Sequence, residues 1–146
     1  MMMETQRSSS SACYDAAMRM LFRREHSQLE LRQKLQQKDF DNTLIADEID
    51  LLIEQDYQSD VRFAEDFISM RYNQGKGPIK ISAELKVRGI EHFDLSVFDW
   101  FALAQNVRVK KYGEKLLSDY KEIAKQKRFL QSRGFDFDQI NQAFKN

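Results

Sequence analysis

The sequence predicts an all-α fold: three tandem three-helix repeats forming an elongated, curved modular array. Three observations predict it. A short phrase recurs as Leu35-Gln-Gln-Lys-Asp-Phe40, Leu85-Lys-Val-Arg-Gly-Ile90 and Leu130-Gln-Ser-Arg-Gly-Phe135, spaced 50 and then 45 residues apart. A period of that size, each copy closing one helix-like stretch just before another, is the mark of a helical repeat array. Only one Pro and five Gly punctuate 146 residues, which favours helix over a many-stranded sandwich. Apolar residues step by 3, 4, 7 and 8, as on one face of a helix, and no stretch alternates for more than four or five residues. The expected organisation is a disordered tail over 1–11 and repeats over 12–58, 59–99 and 100–146, nine helices in all.

The first repeat opens near Ser11, after the tail-like run Ser8–Ser11. Tyr14, Ala17, Met18, Leu21 and Phe22 form the inward stripe of its first helix. Ser27, with Glu30 three residues on, is a capping-box signature for a second helix that faces inward through Leu31 and Leu35. Asp39 takes the turn and Asp41 is the N-cap of a third helix, whose inward residues are Ile45, Ile49, Leu52 and Ile53. In the second repeat Ser59 or Asp60 caps a helix carrying Phe63, Phe67 and Met70, which Gly75-Lys-Gly-Pro78 breaks. Pro78 suits the first turn of the next helix, where no amide donor is lost. That helix faces inward through Ile81 and Leu85 and stops at Gly89, because a left-handed residue is cheapest as Gly. A third helix is expected through Leu95 and Phe98. The third repeat begins at Trp100, which anchors the junction, with Ala104 and Val107 on its stripe and a stop at Tyr112-Gly113. Tyr120, Ile123, Ala124 and Leu130 belong to the next helix, closed by Gly134. Asp136 or Asp138 caps the last, with Ile140 and Phe144 facing in.

Composition narrows the function classes. Hydrophobic residues make up 42% and charged residues 32%, enough to bury a core. No apolar run approaches the roughly 20 residues of a membrane span, and Met1–Ser11 has no apolar core of a secretory signal. One Cys and two His cannot supply a zinc site, and the lone Cys13 fits a reducing cytoplasm. No nucleophile–base pair, metal set or cofactor motif is present, so neither an enzyme nor a cofactor is expected. Net charge is zero but uneven. Residues 1–58 hold 7 Lys/Arg against 11 Asp/Glu, a balance of −4; residues 59–99 hold 6 against 7; residues 100–146 hold 10 against 5, or +5.

The basic third repeat is the candidate contact surface. Lys121, Lys125 and Arg128 fall at spacings of 4 and 7, one outward stripe, with Lys110, Lys111 and Lys115 upstream and Lys127 and Arg133 beside them. Such a stripe can meet phosphates or an acidic protein surface, against the plainer reading of a solvated helix face. Gly75-Lys-Gly-Pro78 is not a phosphate loop, since no strand precedes it and no Ser or Thr follows Lys76. Its secondary reading is an anion site at a helix N-terminus, with Lys76 and Lys80 beside the amides. His26 and His92 read as turn or cap residues, and Cys13 as a partly buried small residue. The acidic residues Asp47, Glu48, Asp50, Glu54 and Asp56 read as a solvated face.

These phrases, in order, resemble one family. Arg24-Glu-His26-Ser27-x-x-Glu30-Leu31-x-x-Lys34-Leu35, Asp60-x-Arg62-Phe63-Ala64, Gly75-Lys-Gly-Pro78, Ile81-x-x-Glu84-Leu85, Arg88-Gly89-Ile90, Lys111-Tyr-Gly-Glu114 and Lys127-Arg-Phe-Leu-x-x-Arg133-Gly134-Phe135 resemble the RecX family of recombination regulators. The resemblance spans nearly everything from Ala12 onward. Asp39 departs from it, standing where the later repeats have Gly, and so does Gln58-Ser59, where the family often has a hydrophobic-acidic pair. The resemblance implies a non-enzymatic protein that lies in the groove of the RecA filament on single-stranded DNA. It would restrain the filament's ATP hydrolysis and strand exchange, limiting recombination and the DNA-damage response. The alternative is a helical module that binds DNA directly. Neutral net charge argues against strong independent binding of that kind.

Overall fold

A computed structural model describes residues 2–115 and 118–145, with side chains from Ser9 onward. Among the described residues there are eight helices and no strand. They are α1 (Met2–Arg23), α2 (Gln28–Gln37), α3 (Asn42–Glu54), α4 (Asp60–Asn73), α5 (Pro78–Val87), α6 (Trp100–Tyr112), α7 (Tyr120–Ser132) and α8 (Phe137–Gln142). Two compact units result. One holds the chain up to Asp66 together with Val87–Glu91, and the other holds Phe67–Lys86 and everything from His92. Among the described residues no helix is long and apolar enough to cross a membrane.

In the first unit α1 packs against α2 and α3, and α2 against α3. Three small residues of α1 (Cys13, Ala16 and Ala17) meet Leu31, Leu35, Ile45, Ile49 and Leu52 in a core where every member is buried. The capping box forms in full: the Glu30 amide donates to Ser27 Oγ and the Ser27 amide to Glu30 Oε1, each at 3.1 Å. Asp41 caps α3 by accepting from the Thr43 amide. Ser59, not Asp60, caps α4, accepting from the Arg62 amide. Asp60 instead accepts from the first amide of α2, at Gln28, and from Gln58 Nε2. Gln58 Nε2 also donates to the His26 carbonyl, and Arg62 bonds both Glu25 and Asp56. The entry to α4 is thereby tied to the corner between α1 and α2.

Three expectations fail in this unit. Phe22 is 93% exposed rather than inward. Cys13 sets the buried face of α1, and Phe22 lies about two and a half turns further on, which puts it on the opposite side. Ile53 sits at the exposed edge of the α3 stripe. The stretch expected as a tail is helical from Met2.

In the second unit α6 packs against α7 and α8, and α7 against α8. Phe67, Ile81, Leu85, Trp100, Leu130 and Phe135 are its larger buried residues. Tyr72 stacks on Phe98 at 4.2 Å between centroids, and Trp100 meets both edge-on at 5.5 and 5.8 Å. The Trp100 indole donates to the Leu95 carbonyl. The helix expected through Leu95 and Phe98 does not form, so eight helices stand where nine were expected. Asp94 accepts from both the amide and the hydroxyl of Ser96, a local turn that competes with helical bonding, and Phe98 goes to the aromatic cluster. Met70, expected inward on α4, is exposed. Asp136, rather than Asp138, caps α8, with Gln139 completing the box.

The recurring phrase acquires a physical meaning as a helix stop. After α2 the Phe40 amide donates to the Leu35 carbonyl and the Asp39 amide to Gln36; after α7 the Phe135 amide donates to Leu130 and Gly134 to Gln131. These paired bonds require a left-handed residue between them and commonly bring an apolar residue back onto the helix. Asp39, Gly89 and Gly134 have φ of 67°, 81° and 98°. Leu35, Leu85 and Leu130 are each fully buried. The basic fourth position, next to the left-handed residue, places a cation at the negative end of the helix dipole.

Candidate basic interface

All ten basic residues singled out in the sequence lie in the second unit, and the structure sorts them into distinct settings. The first is the joint between Gly75-Lys-Gly-Pro78 and the stop after α7. The Gly77 amide donates to the Arg133 carbonyl at 2.7 Å, and the Ile79 amide to the Gly134 carbonyl at 3.0 Å. The two backbones touch. A Cβ on Gly77 would lie 2.6 Å from the Phe135 nitrogen, and one on Gly134 would lie 2.7 Å from the Lys80 nitrogen. Lys76, Lys80 and Arg133 are gathered there. Burial, and then the positive charges of Arg133, Lys80 and Arg71, hold the Lys76 ammonium below its ordinary pKa. Pro78 has no N–H, and the amides of Gly77 and Ile79 at this helix start are given to carbonyls.

A second setting is a groove of about 430 Å³ lined by Gln74, Val107, Lys110, Lys111, Phe129 and Arg133, among others. Phe129 organises it. The Lys111 ammonium stands 3.8 Å from the ring centroid and the Arg133 guanidinium 5.0 Å, while Tyr112 packs edge-on at 5.6 Å. Two cations on one ring are held in place by attraction to its face, each such contact contributing about 0.5–1 kcal/mol where exposed. Sequence reasoning missed the part played by Phe129. Its signal was adjacency to Arg128 and a four-residue step to Arg133, but the partner Lys111 belongs to another helix.

A third setting is the outer face of α7, where Lys121, Lys125 and Arg128 are all exposed in one row, as their spacing requires. Asp119 caps this helix through the Lys121 amide. Lys127 points elsewhere. Its ammonium donates to Asn141 at 3.1 Å and lies 5.6 Å from the Phe144 ring, which ties α7 to α8. Lys110 and Lys115 are exposed. Arg108, not singled out in the sequence, is 3% exposed, donates to the Ala143 carbonyl and lies over the Phe144 ring, where it braces α6 against the end of α8.

His26 and Cys13 are titratable groups of the first unit. His26 is buried; its Nδ1 lies 3.1 Å from the Arg24 carbonyl and its Nε2 2.9 Å from the Lys34 ammonium. That arrangement makes Nδ1 the donor and Nε2 the acceptor, a neutral ring. Burial is the largest reason its pKa lies below the ordinary value. Burial also pushes the Cys13 thiol up to about 11, so it stays protonated and inert. Among the described residues no group of three or more His, Cys, Asp or Glu could hold a metal ion.

Comparison with known proteins places this arrangement. Models of the first, second and third three-helix domains of RecX match residues 13–52, 59–94 and 99–144. The chain is 43% identical over 139 residues to a regulatory protein RecX of Legionella pneumophila (strain Corby), covering 90% of this chain and 92% of that one. It is 38% identical over 141 residues to the regulatory protein RecX of Halorhodospira halophila, covering 92% and 88%. The crystal structure of RecX from Lactobacillus salivarius shares the fold with a TM-score of 0.78 at 24% identity, covering 93% and 94%. On these matches, over all three helical repeats, the chain belongs to the RecX family.

Proposed function

We propose that this protein regulates the RecA recombinase. It binds the RecA filament on single-stranded DNA in the cytoplasm and restrains ATP hydrolysis and strand exchange, limiting recombination and the DNA-damage response. Membership of the RecX family supports this reading, since the relatives are named as regulatory proteins. The observation that carries the contact surface is the row of exposed cations on α7, Lys121, Lys125 and Arg128, flanked by Lys110 and Lys115 and by the groove around Phe129.

Inhibition of this kind needs no bond-making. The repeats over 12–58, 59–99 and 100–146 act as linked modules, each meeting the filament weakly. Linkage raises the effective concentration of the second contact once the first is made. The test is the ATPase rate of RecA on single-stranded DNA, titrated with this protein. Inhibition at well below one molecule per RecA subunit supports filament-directed action. An unchanged rate, with steeply salt-dependent binding to bare DNA, supports the direct DNA-binding module instead.

A further inference from the structure

Lys76 stands between two glycines, and its backbone is held on both sides. Its own amide donates to the Arg71 carbonyl at 3.0 Å, and the next amide, of Gly77, donates to the Arg133 carbonyl at 2.7 Å. The residue is therefore pinned among three other cations of the second unit, Arg71, Lys80 and Arg133, all of which act on its ammonium through space. One carboxylate, Glu84, acts on it as well, but Glu84 is engaged elsewhere: its Oε2 accepts from Arg71 Nε at 3.0 Å and from Arg71 Nη2. Among the described residues no carboxylate forms an ion pair with Lys76. A half-buried ammonium is thus crowded by like charges without a counter-ion of its own.

The chemistry of such a group follows from its two forms. An ammonium is not a nucleophile, and its free amine is. Burial, and then the charges of Arg133, Lys80 and Arg71, favour the neutral form, so a larger share of free amine is present at neutral pH than a solvated lysine offers. The same cations act in the opposite sense on a small anion, whose local concentration they raise. A reactant that gains from both effects is an anion carrying an electrophilic carbon. Acyl phosphates belong to that class, whereas a plain anion uses the cations and leaves the amine without a reaction. Lys121 and Lys125, exposed on the open face of α7, provide the comparison within the same chain.

We infer that Lys76 is an acylation site, its amine taking the acyl group of a small acyl phosphate. The free amine attacks the carbonyl carbon. The new N–C bond forms as the C–O bond to phosphate breaks; inorganic phosphate leaves with the electron pair, and the amine proton passes to it or to water. The neighbouring guanidinium of Arg133 favours the departing phosphate through charge-assisted hydrogen bonding. The amide formed carries no charge, so repulsion within the cluster falls and the joint loses one of its cations. The basic surface of the second unit then registers the supply of activated acyl groups. This inference does not rest on any contact with RecA.

The test is incubation of the full chain with acetyl phosphate at neutral pH, with acetylation of each lysine followed over time by mass spectrometry. Lys76 is expected to react about fivefold faster, or more, than Lys121 and Lys125. Lys80→Gln removes a neighbouring charge and keeps the stem that lies beside Gly134, so the rate at Lys76 should fall toward theirs with the urea midpoint at the parent value. A rate at Lys76 no higher than at Lys121 and Lys125 overturns the site, and that comparison is made in the parent chain, whatever the variant's stability. Unchanged selectivity in folded Lys80→Gln overturns the part given to the cluster. Acetic anhydride, an uncharged donor, should show less preference for Lys76. Equal preference with both reagents overturns the acyl phosphate assignment in favour of a nucleophilic amine that does not select its donor.

Discussion

His26 and two aspartates show how single residues set local stability. The His26 ring is neutral in the fold, giving its proton to the Arg24 carbonyl and accepting from Lys34. Its folded pKa lies below the unfolded value of 6.5, burial being the main cause. As pH falls, the unfolded chain therefore takes up the proton first. Its contribution is complete above about pH 6.5, declines below it, and levels off once the folded pKa is passed. Urea midpoints at pH 7.5 and 5.5 should show a fall that is smaller in His26→Gln. Asp39 and Asp56 both adopt left-handed backbone, with φ of 67° and 64°. Asp39 has no ion pair among the described residues, whereas Asp56 bonds Arg62 at 2.9 Å. Asp39→Gly should raise stability by about 1 kcal/mol, read as a higher urea midpoint. Asp56→Gly should gain less, because the same relief is offset by loss of the Arg62 contact.

At the scale of elements, much of this architecture is legible in the chain because helix ends are written locally. The Ser27–Glu30 box, the Asp41 cap and the stop at Gly89 involve residues within a few positions of each other, and spacing alone reveals them. Elements fail to be legible where a distant contact decides. The segment 91–99 looks helical by pattern, but Asp94 prefers Ser96 and Phe98 is drawn to Tyr72 and Trp100. Phe22 is apolar and falls on a helical period, yet the small residues that fix the buried side of α1 lie elsewhere on its circumference. Gly134 was legible as a helix stop and not as a point of contact. It is both, with φ of 98° and Lys80 directly against the space a side chain would need. Gly134→Ala should therefore cost about 3 kcal/mol, combining left-handed strain with overpacking against backbone, and thermal unfolding would read it. Gly113, with φ of 89° and open space around it, is the comparison: Gly113→Ala carries the strain alone and should cost less.

On the scale of the whole molecule, charge is the organising property. The +5 of residues 100–146 could be counted without geometry, and so the α7 row was legible. The grouping around Phe129 was not, since Lys111 and Phe129 come from different helices. Charge reversal of Lys121, Lys125 and Arg128 together should weaken inhibition of the RecA ATPase without lowering the melting temperature, because all three side chains are exposed. Full inhibition by that folded variant would remove the α7 row from the contact surface.

The joint at Gly77 and Gly134 has a consequence for how such a protein can change over generations. Its partners recognise each other through peptide groups and through the absence of side chains, and neither depends on the identity of the residues around them. Two helical modules fastened in this way behave like parts cut to a common fitting. The faces they present to the outside are free to diversify, or to be exchanged wholesale between homologues, as long as two glycines keep their places.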